Sequence, residues 1–294
     1  MSDFQKNFEK KQQCINAALD SHMPTETTRP SVLHKAMRYS VFAGGKRLRP
    51  VLCLASAEAM GGTPESAVIP AIAIEVLHTY TLIHDDLPCM DNDDLRRGHP
   101  TCHKVFGEAN AILAGDALLT LAFELLADIQ APPPYPSNQL SLELALAAGS
   151  RGVVGGQVED MASEGQQPDP DIVEYIHLHK TADLFRASLR MGGISAGAAD
   201  NELNALTLYG TNIGLAFQIV DDILNETSSA AVLGKTAGND RQHHKITYVA
   251  AHGLKTAKSF AAELSHKAVT AIKQIHGNTE FLVSLAQFMM NREY

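Results

Sequence analysis

Basic residues, strand-like patterns, ordered cysteines and long apolar runs are all scarce in this chain, and each scarcity closes off a class of function. Lys and Arg total 24 against 33 Asp and Glu, a formal net charge of -9. Global electrostatics therefore argue against a nucleic-acid partner, although local basic clusters still suit small anions. The four cysteines, Cys14, Cys53, Cys89 and Cys102, are scattered without metal-ligand spacing. They read as buried or free thiols in a reducing compartment. The opening stretch, MSDFQKNFEKKQQ, is polar and charged and shows no secretory signal. No apolar run reads as long enough to span a bilayer. A cytoplasmic protein without a membrane span is the expectation.

What the chain does have is core-forming material and helical periodicity. With 294 residues and 45% hydrophobic content it can bury a sizeable core. Residues 31–43 predict an amphipathic helix stopped by Gly44 and Gly45, and Pro50 opens the next, which ends at Gly61 and Gly62. Another begins between Pro64 and Pro70. Residues 108–128 read as a nearly all-apolar helix buried in a bundle centre. APPPYPSN (131–138) and EGQQPDPD (164–171) break the pattern. The period resumes over 171–191, ending at Gly192 and Gly193, and again over 201–226. Residues 226–245 have the composition of a mobile loop. With no linker and no repeat, a single all-α domain over 1–294 is the simplest organisation.

The chemistry concentrates in residues 75–98, EVLHTYTLIHDDLPCMDNDDLRRG. Asp85, Asp86 and Asp91 form a D-D-x-x-x-x-D array, followed by Asp93 and Asp94, then Arg96 and Arg97. Clustered carboxylates repel one another, so a folded site that holds them wants cations. Hard oxygen ligands select Mg²⁺, which keeps waters and shares itself with phosphates. A guanidinium fork matches phosphate oxygens. Acidic runs are ordinarily solvated surface, and an EF-hand starting at Asp91 fails because Leu95 and Cys102 occupy ligand positions.

A second acidic motif decides between these readings. In FQIVDDILN (217–225), Gln218, Asp221, Asp222 and Asn225 share one helical face. Ile219, Val220, Ile223 and Leu224 surround them, and adjacent aspartates in so apolar a helix are costly unless paired or metal-bound. Glu75, His78 and Leu82 run along one face toward the first acidic end. Positive groups cluster separately: Lys46 and Arg49 beyond a diglycine, Arg96 and Arg97, Lys180 beside Thr181, and Lys235 and Lys245 flanking the polar loop. Two acidic motifs with several basic clusters suit two diphosphates, one metal-bound and one held by cations alone.

These motifs resemble the short-chain trans-isoprenyl diphosphate synthases, most nearly the bacterial-type farnesyl diphosphate synthases. The matching segments are GGKRLRP (44–50), residues 78–118, GGQVED (155–160), HKT (179–181), FQIVDDILN (217–225) and LGK (233–235). The resemblance implies a homodimeric helical bundle of the isoprenoid synthase type, with a deep central cavity and the two acidic motifs facing one another across its mouth. It implies that Asp85, Asp86 and Asp91 bind two Mg²⁺ and Asp221 a third, bridging an allylic diphosphate. Asp222 and Lys180 belong to the catalytic set, and Arg96, Lys180, Thr181, Gln218, Lys235 and Lys245 line the clamp. Lys46, Arg49, His78 and Arg97 match the family's site for isopentenyl diphosphate.

The implied reaction is ionisation, condensation and elimination, giving farnesyl diphosphate and pyrophosphate from dimethylallyl or geranyl diphosphate. Tyr80 lies five residues before Asp85, roughly 7.5 Å along a helix at ~1.5 Å per residue. With the extra pair Pro88 and Cys89 inside the first motif, it favours a fifteen-carbon stop. The family's second motif usually ends in aspartate where this chain has Asn225; ITYVA after Lys245 lacks a frequent proline, and His244 replaces a frequent glycine. Alternatives are a geranyl diphosphate product, a terpene cyclase, or an inactive regulatory subunit. Lys46 with Arg49 argues against a cyclase, and nearly complete acidic motifs argue against an inactive subunit.

Overall fold

Capping and helical periodicity shape the first of two compact units in the computed structural model, which describes residues 2–227 and 245–290. This unit comprises residues 1–51 and 68–129. Helix α1 (Asp3–His22) starts at a capping box, in which Ser2 Oγ accepts from the Gln5 N–H and the Gln5 side chain accepts from the Ser2 N–H. It buries Phe8, Lys11, Ile15 and Leu19 along one stripe. Helix α2 (Ser31–Val41) stops before the diglycine, as its sequence predicts. Helix α3 (Leu48–Ala59) begins two residues ahead of Pro50, which sits in the first turn, where a missing N–H costs nothing.

Helix α4 (Pro64–Asp85) starts at Pro64 and tolerates Pro70 within it. A two-stranded hairpin follows, β1 (Leu95–Arg96) and β2 (His99–Pro100), with Leu95 opposite Pro100. Its two-residue turn is Arg97 and Gly98, with φ of 54° and 78°, as a tight primed turn requires. After α5 (Cys102–Phe106), helix α6 (Glu108–Ala127) packs on α2 and α5. It buries Ala111, Ala114, Leu118, Leu121 and Ala122 but exposes Ile112 and Leu113. The expected fully buried central helix is therefore a half-exposed one.

Among the described residues two helices, α4 and α6, are long and apolar enough to cross a membrane, which the sequence had not suggested. The apolar window of α4 is 67% buried inside the protein and that of α6 39%. A core helix passes the same length and composition test, because burial in protein and in lipid select the same residues.

The second unit comprises residues 52–67 and 130–294. Between the two proline-rich breaks the chain forms α7 (Gln139–Ala148) and α8 (Val153–Ala162). Then come α9 (Pro170–Ile176), capped by Asp169, a π-helical turn over His177–Ala182, and α10 (Asp183–Ser195). Gly192 and Gly193 do not end α10 but lie buried within it. A Cβ on Gly192 would collide with the Cys53 carbonyl and the Ser56 hydroxyl, and one on Gly193 with Leu206. Close packing, not termination, explains that pair.

Helix α11 (Asp200–Thr227) packs on α10, the π turn, α12 (Tyr248–His252), α13 (Leu254–Ile272) and α14 (Glu280–Met290). A core of Val173, Ile176, Ile219, Val220, Ile223, Ile246, Tyr248 and Leu264 fills the space beside it.

Candidate active site

The first unit sets an acidic helix end beside a basic loop. At the carboxyl end of α4 the chain folds back through the Pro88–Cys89 insertion, and the Asp91 N–H donates to the Asp85 carbonyl at 2.8 Å. That bond draws Asp85 and Asp91 together, both half-buried. The negative end of the helix dipole adds to their preference for a cation. Asp86 is only 3% exposed, and its carboxylate accepts from Arg96 Nε at 2.9 Å and from Arg96 Nη2. Arg96 also reaches Asp93 at 3.3 Å. Burial works most strongly against the Arg96 charge, but the bond to Asp86 and the charges of Asp86, Asp93 and Asp85 together outweigh it and hold its pKa above the usual range.

The basic loop precedes α3. Gly44 and Gly45 take φ of 90° and 111°, and Arg47 takes 53°. A Cβ on Gly45 would collide with the Arg97 guanidinium, whose Nη1 donates to the Gly44 carbonyl. Arg47 is not part of an open cluster. It is buried against Glu75, with 2.6 Å between Nη1 and Oε1, and also donates to Asn16 and the Val41 carbonyl. That pair anchors the loop on α4. Arg49 Nη1 donates to His78 Nε2 at 3.2 Å, which assigns the histidine's own proton to Nδ1. Burial, then the charges of Arg49, Arg97, Arg96 and Arg47, push the His78 pKa well down, so the ring stays neutral. Exposed Lys46 completes the group at the amino end of α3, where free N–H groups favour an anion.

Tyr80 is 6% exposed and packs edge-on against His84 at 5.6 Å between ring centres. Burial, then the charge of Asp85, raises its pKa, so the phenol keeps its proton. His84 Nε2 in turn meets the Ile112 carbonyl at 3.1 Å.

In the second unit the π turn presents Lys180 and Thr181. A Cβ on Gly156 would collide with the Lys180 backbone, so that glycine lets α8 approach the turn closely. Lys180 Nζ donates to Asp160 Oδ2 at 2.6 Å, and Lys245 Nζ to the same atom at 3.3 Å. Thr181 Oγ1 donates to Gln218 Oε1 at 3.0 Å, and Gln218 Nε2 to Asp222 Oδ1 at 3.2 Å. Asp222, 5% exposed, also accepts from the Tyr248 N–H at 2.7 Å and faces His177 Nε2 at 3.3 Å. Asp221 and Asn225 are half-buried on the same helix. Lys235 lies outside the described residues.

The expected site residues thus fall into local groups: Lys46, Arg49, His78 and Arg97; Asp85, Asp86, Asp91 and Arg96; Lys180 with Lys245; and Thr181, Gln218 and Asp222. Sequence reasoning missed the roles of Arg47, Glu75, Asp160 and His177. GGQVED was visible as a motif, but spacing alone cannot pair a carboxylate with a lysine twenty positions on. Asp85, Asp91 and Asp221 offer hard oxygens on half-buried side chains, which fits Mg²⁺. Among the described residues no three His, Cys, Asp or Glu side chains form a ready-made cage. An ion that binds through a carboxylate or two, waters and substrate phosphates needs none.

Residues 30–280 match the family model described as polyprenyl synthetase. A curated relative from Arabidopsis thaliana is the chloroplastic heterodimeric geranylgeranyl pyrophosphate synthase large subunit 1. It is 49% identical over 272 residues, covering 90% of this chain and 73% of its own. Geranylgeranyl pyrophosphate synthase 4 of the same plant is 45% identical, covering 99% and 79%. A solved putative farnesyl-diphosphate synthase from a Marinomonas species superposes with a TM-score of 0.83 at 36% identity, covering 99% of this chain and 100% of its own. A geranyltransferase from Helicobacter pylori, complexed with magnesium and isoprenyl diphosphate, gives 0.82 at 34% identity, covering 99% and 97%. The all-α fold is borne out. The names disagree on product length, and the chloroplastic label lends no support to a cytoplasmic setting.

Proposed function

This chain belongs to the polyprenyl synthetase family, and from that premise we propose that it joins isopentenyl diphosphate to an allylic diphosphate. The observation that carries the proposal lies within one unit, where α4 ends in an acidic group and, further back, anchors a separate basic group through Arg47 on Glu75 and Arg49 on His78. An allylic ester that ionises needs its leaving diphosphate neutralised; the partner that does not ionise needs only to be held. Asp85 and Asp91 would hold Mg²⁺ in the first unit and Asp221 would hold it in the second; when bound, the ion offsets the charge gathering on departing pyrophosphate. Lys180 and Lys245 would donate to a diphosphate as well. Lys46, Arg49 and Arg97 grip isopentenyl diphosphate, and neutral His78 keeps Arg49 aimed. The isopentenyl double bond then attacks the allylic cation, and a proton is lost. Asp86 keeps Arg96 in place and Asp222 orders the π turn, so each supports the site from behind it.

The names of the curated relatives favour geranylgeranyl diphosphate, with twenty carbons, as the product. A farnesyl product is the second reading, and the buried Tyr80 near the acidic end favours it. Incubation with Mg²⁺, isopentenyl diphosphate and dimethylallyl or geranyl diphosphate, followed by product sizing, decides both points. No elongation overturns the function. Replacing Lys46 and Arg49 together should abolish elongation; unimpaired condensation would instead count against the basic group.

A homodimer is the assembly we propose. Exposed Leu142 and Leu146 lie one turn apart on α7, and Val154 and Val158 one turn apart on α8 with Met161 beyond, so each helix carries a short apolar strip, and Val158 is 61% exposed. A second copy would cover such a strip, because a charged or wet surface gains nothing from it. A Val158→Asp chain should sediment as a monomer, and an unchanged dimer rejects the strip as the interface.

A further inference from the structure

We infer that Asp160 is a positioning residue, which gathers the ammonium groups of Lys180 and Lys245 onto one carboxylate oxygen and holds them as a pair for an incoming diphosphate. The inference rests on the proposed transferase function. Asp160 sits on α8, largely buried, with Lys180 Nζ at 2.6 Å and Lys245 Nζ at 3.3 Å from its Oδ2. Burial pushes its pKa up, but the two lysines outweigh burial and leave it below the usual carboxylate range. Among the described residues nearby, His177 faces Asp222, His179 bonds Asp183, and Glu174 is exposed.

Two like charges held on one atom would separate without that atom. Each ammonium carries three donors, so one bond to Asp160 does not exhaust it. The carboxylate also fixes two long side chains whose freedom would otherwise be lost on binding. A second observation marks a polar ligand on this face. Gln157, three residues before Asp160 on the same helix, is 9% exposed, and neither its amide nitrogen nor its oxygen meets a partner among the described residues. A buried amide left bare costs stability unless something binds it.

The test turns on a sign. Removing a carboxylate next to an anion site should by charge alone tighten anion binding, whereas losing the geometry should weaken it. Calorimetry with inorganic pyrophosphate and the full chain is expected to show Asp160→Asn binding about five- to tenfold more weakly than the parent. Steady-state kinetics should show kcat down by about a hundredfold, with the KM for isopentenyl diphosphate within about twofold. Asp160→Glu keeps the charge and moves the oxygens by one methylene, so it should fold and lose about tenfold in kcat. Tighter pyrophosphate binding by Asp160→Asn, or an unaltered kcat in Asp160→Glu, overturns the inference. If the parent chain fails to elongate any substrate, the function proposed above fails instead, while the pyrophosphate measurement still reads the lysine pair.

Discussion

Each unit carries an adjacent aspartate pair, one at the carboxyl end of α4 and one within α11, and the two pairs divide their work alike but secure it differently. In both, the leading residue, Asp85 or Asp221, is half-buried, while the trailing one, Asp86 or Asp222, is almost wholly buried. Consecutive residues on a helix point about 100° apart, so a doublet naturally sends one carboxylate toward solvent and the other into the protein. What differs is the counterweight. Asp86 is neutralised by a full cation, Arg96. Asp222 is held by the Tyr248 N–H and the Gln218 amide, with His177 at its side. The trailing residue of the first pair is therefore matched by a full positive charge, whereas that of the second is met by dipoles and a histidine ring. An aspartate doublet is best read as an anchor plus a ligand, not as two ligands.

The largest effects should come from the leading residues. Asp85→Ala and Asp221→Ala are each expected to lower kcat by roughly three orders of magnitude, since each strips a ligand opposite charge that builds only as the bond breaks. Steady-state turnover at saturating Mg²⁺ measures this, with circular dichroism showing an intact fold. If either variant keeps near-parent turnover, the division of labour is wrong for that helix.

The trailing residues should affect stability first, and unequally. Asp86→Asn leaves the largely buried Arg96 with Asp93 as its remaining carboxylate, and should cost about 3 kcal/mol. Asp222→Asn can still accept from the Tyr248 N–H and should cost about 1–2 kcal/mol. Denaturant melts compare the two directly. An equal or reversed order would mean that the identity of the counterweight does not matter.

Much of this was legible in the sequence, and the limits have a physical cause. Local signals placed α2, α6 and α11 to within a residue or two, because periodicity and flanking glycines are read from neighbours in the chain. The same signals misassigned Gly192 and Gly193, since a glycine that ends a helix and one that admits a neighbouring backbone look alike until that neighbour is known. Both acidic doublets were visible, but which member of each would be buried depended on Arg96 in a hairpin and on Tyr248 beyond the polar loop. Arg47 shows the same limit. It stands between Lys46 and Arg49 in the sequence, yet it is spent on Glu75 inside the protein. The π turn that presents Lys180 and Thr181 has no sequence mark of its own.

The helices also differ five residues before each doublet, where α4 has Tyr80 and α11 has Ala216, both buried. Only the first can act as an aromatic floor to a growing chain. Tyr80→Ala should lengthen the main product by one or two five-carbon units, read by chromatography of the dephosphorylated alcohols. An unchanged distribution would remove Tyr80 from length control, whichever product the parent makes.

The smallest effect expected sharpens the comparison at the end of each motif. The first closes with Asp91, which the backbone draws against Asp85; the second closes with Asn225, a half-buried amide one turn beyond Asp221. An amide oxygen can ligate or accept from a bound water but adds no charge, so the second motif has one anionic ligand fewer than it might. Asn225→Asp sets a carboxylate four residues from Asp221 on the same face, close enough to share one ion. The like-charge pair would cost a few tenths of a kcal/mol without metal. With Mg²⁺ that repulsion becomes attraction, and the Mg²⁺ concentration giving half-maximal activity should fall by about two- to fivefold, with kcat little changed. If it rises instead, Asn225 bonds a group that the aspartate repels, and the second motif would then have been tuned toward its phosphate rather than toward its ion.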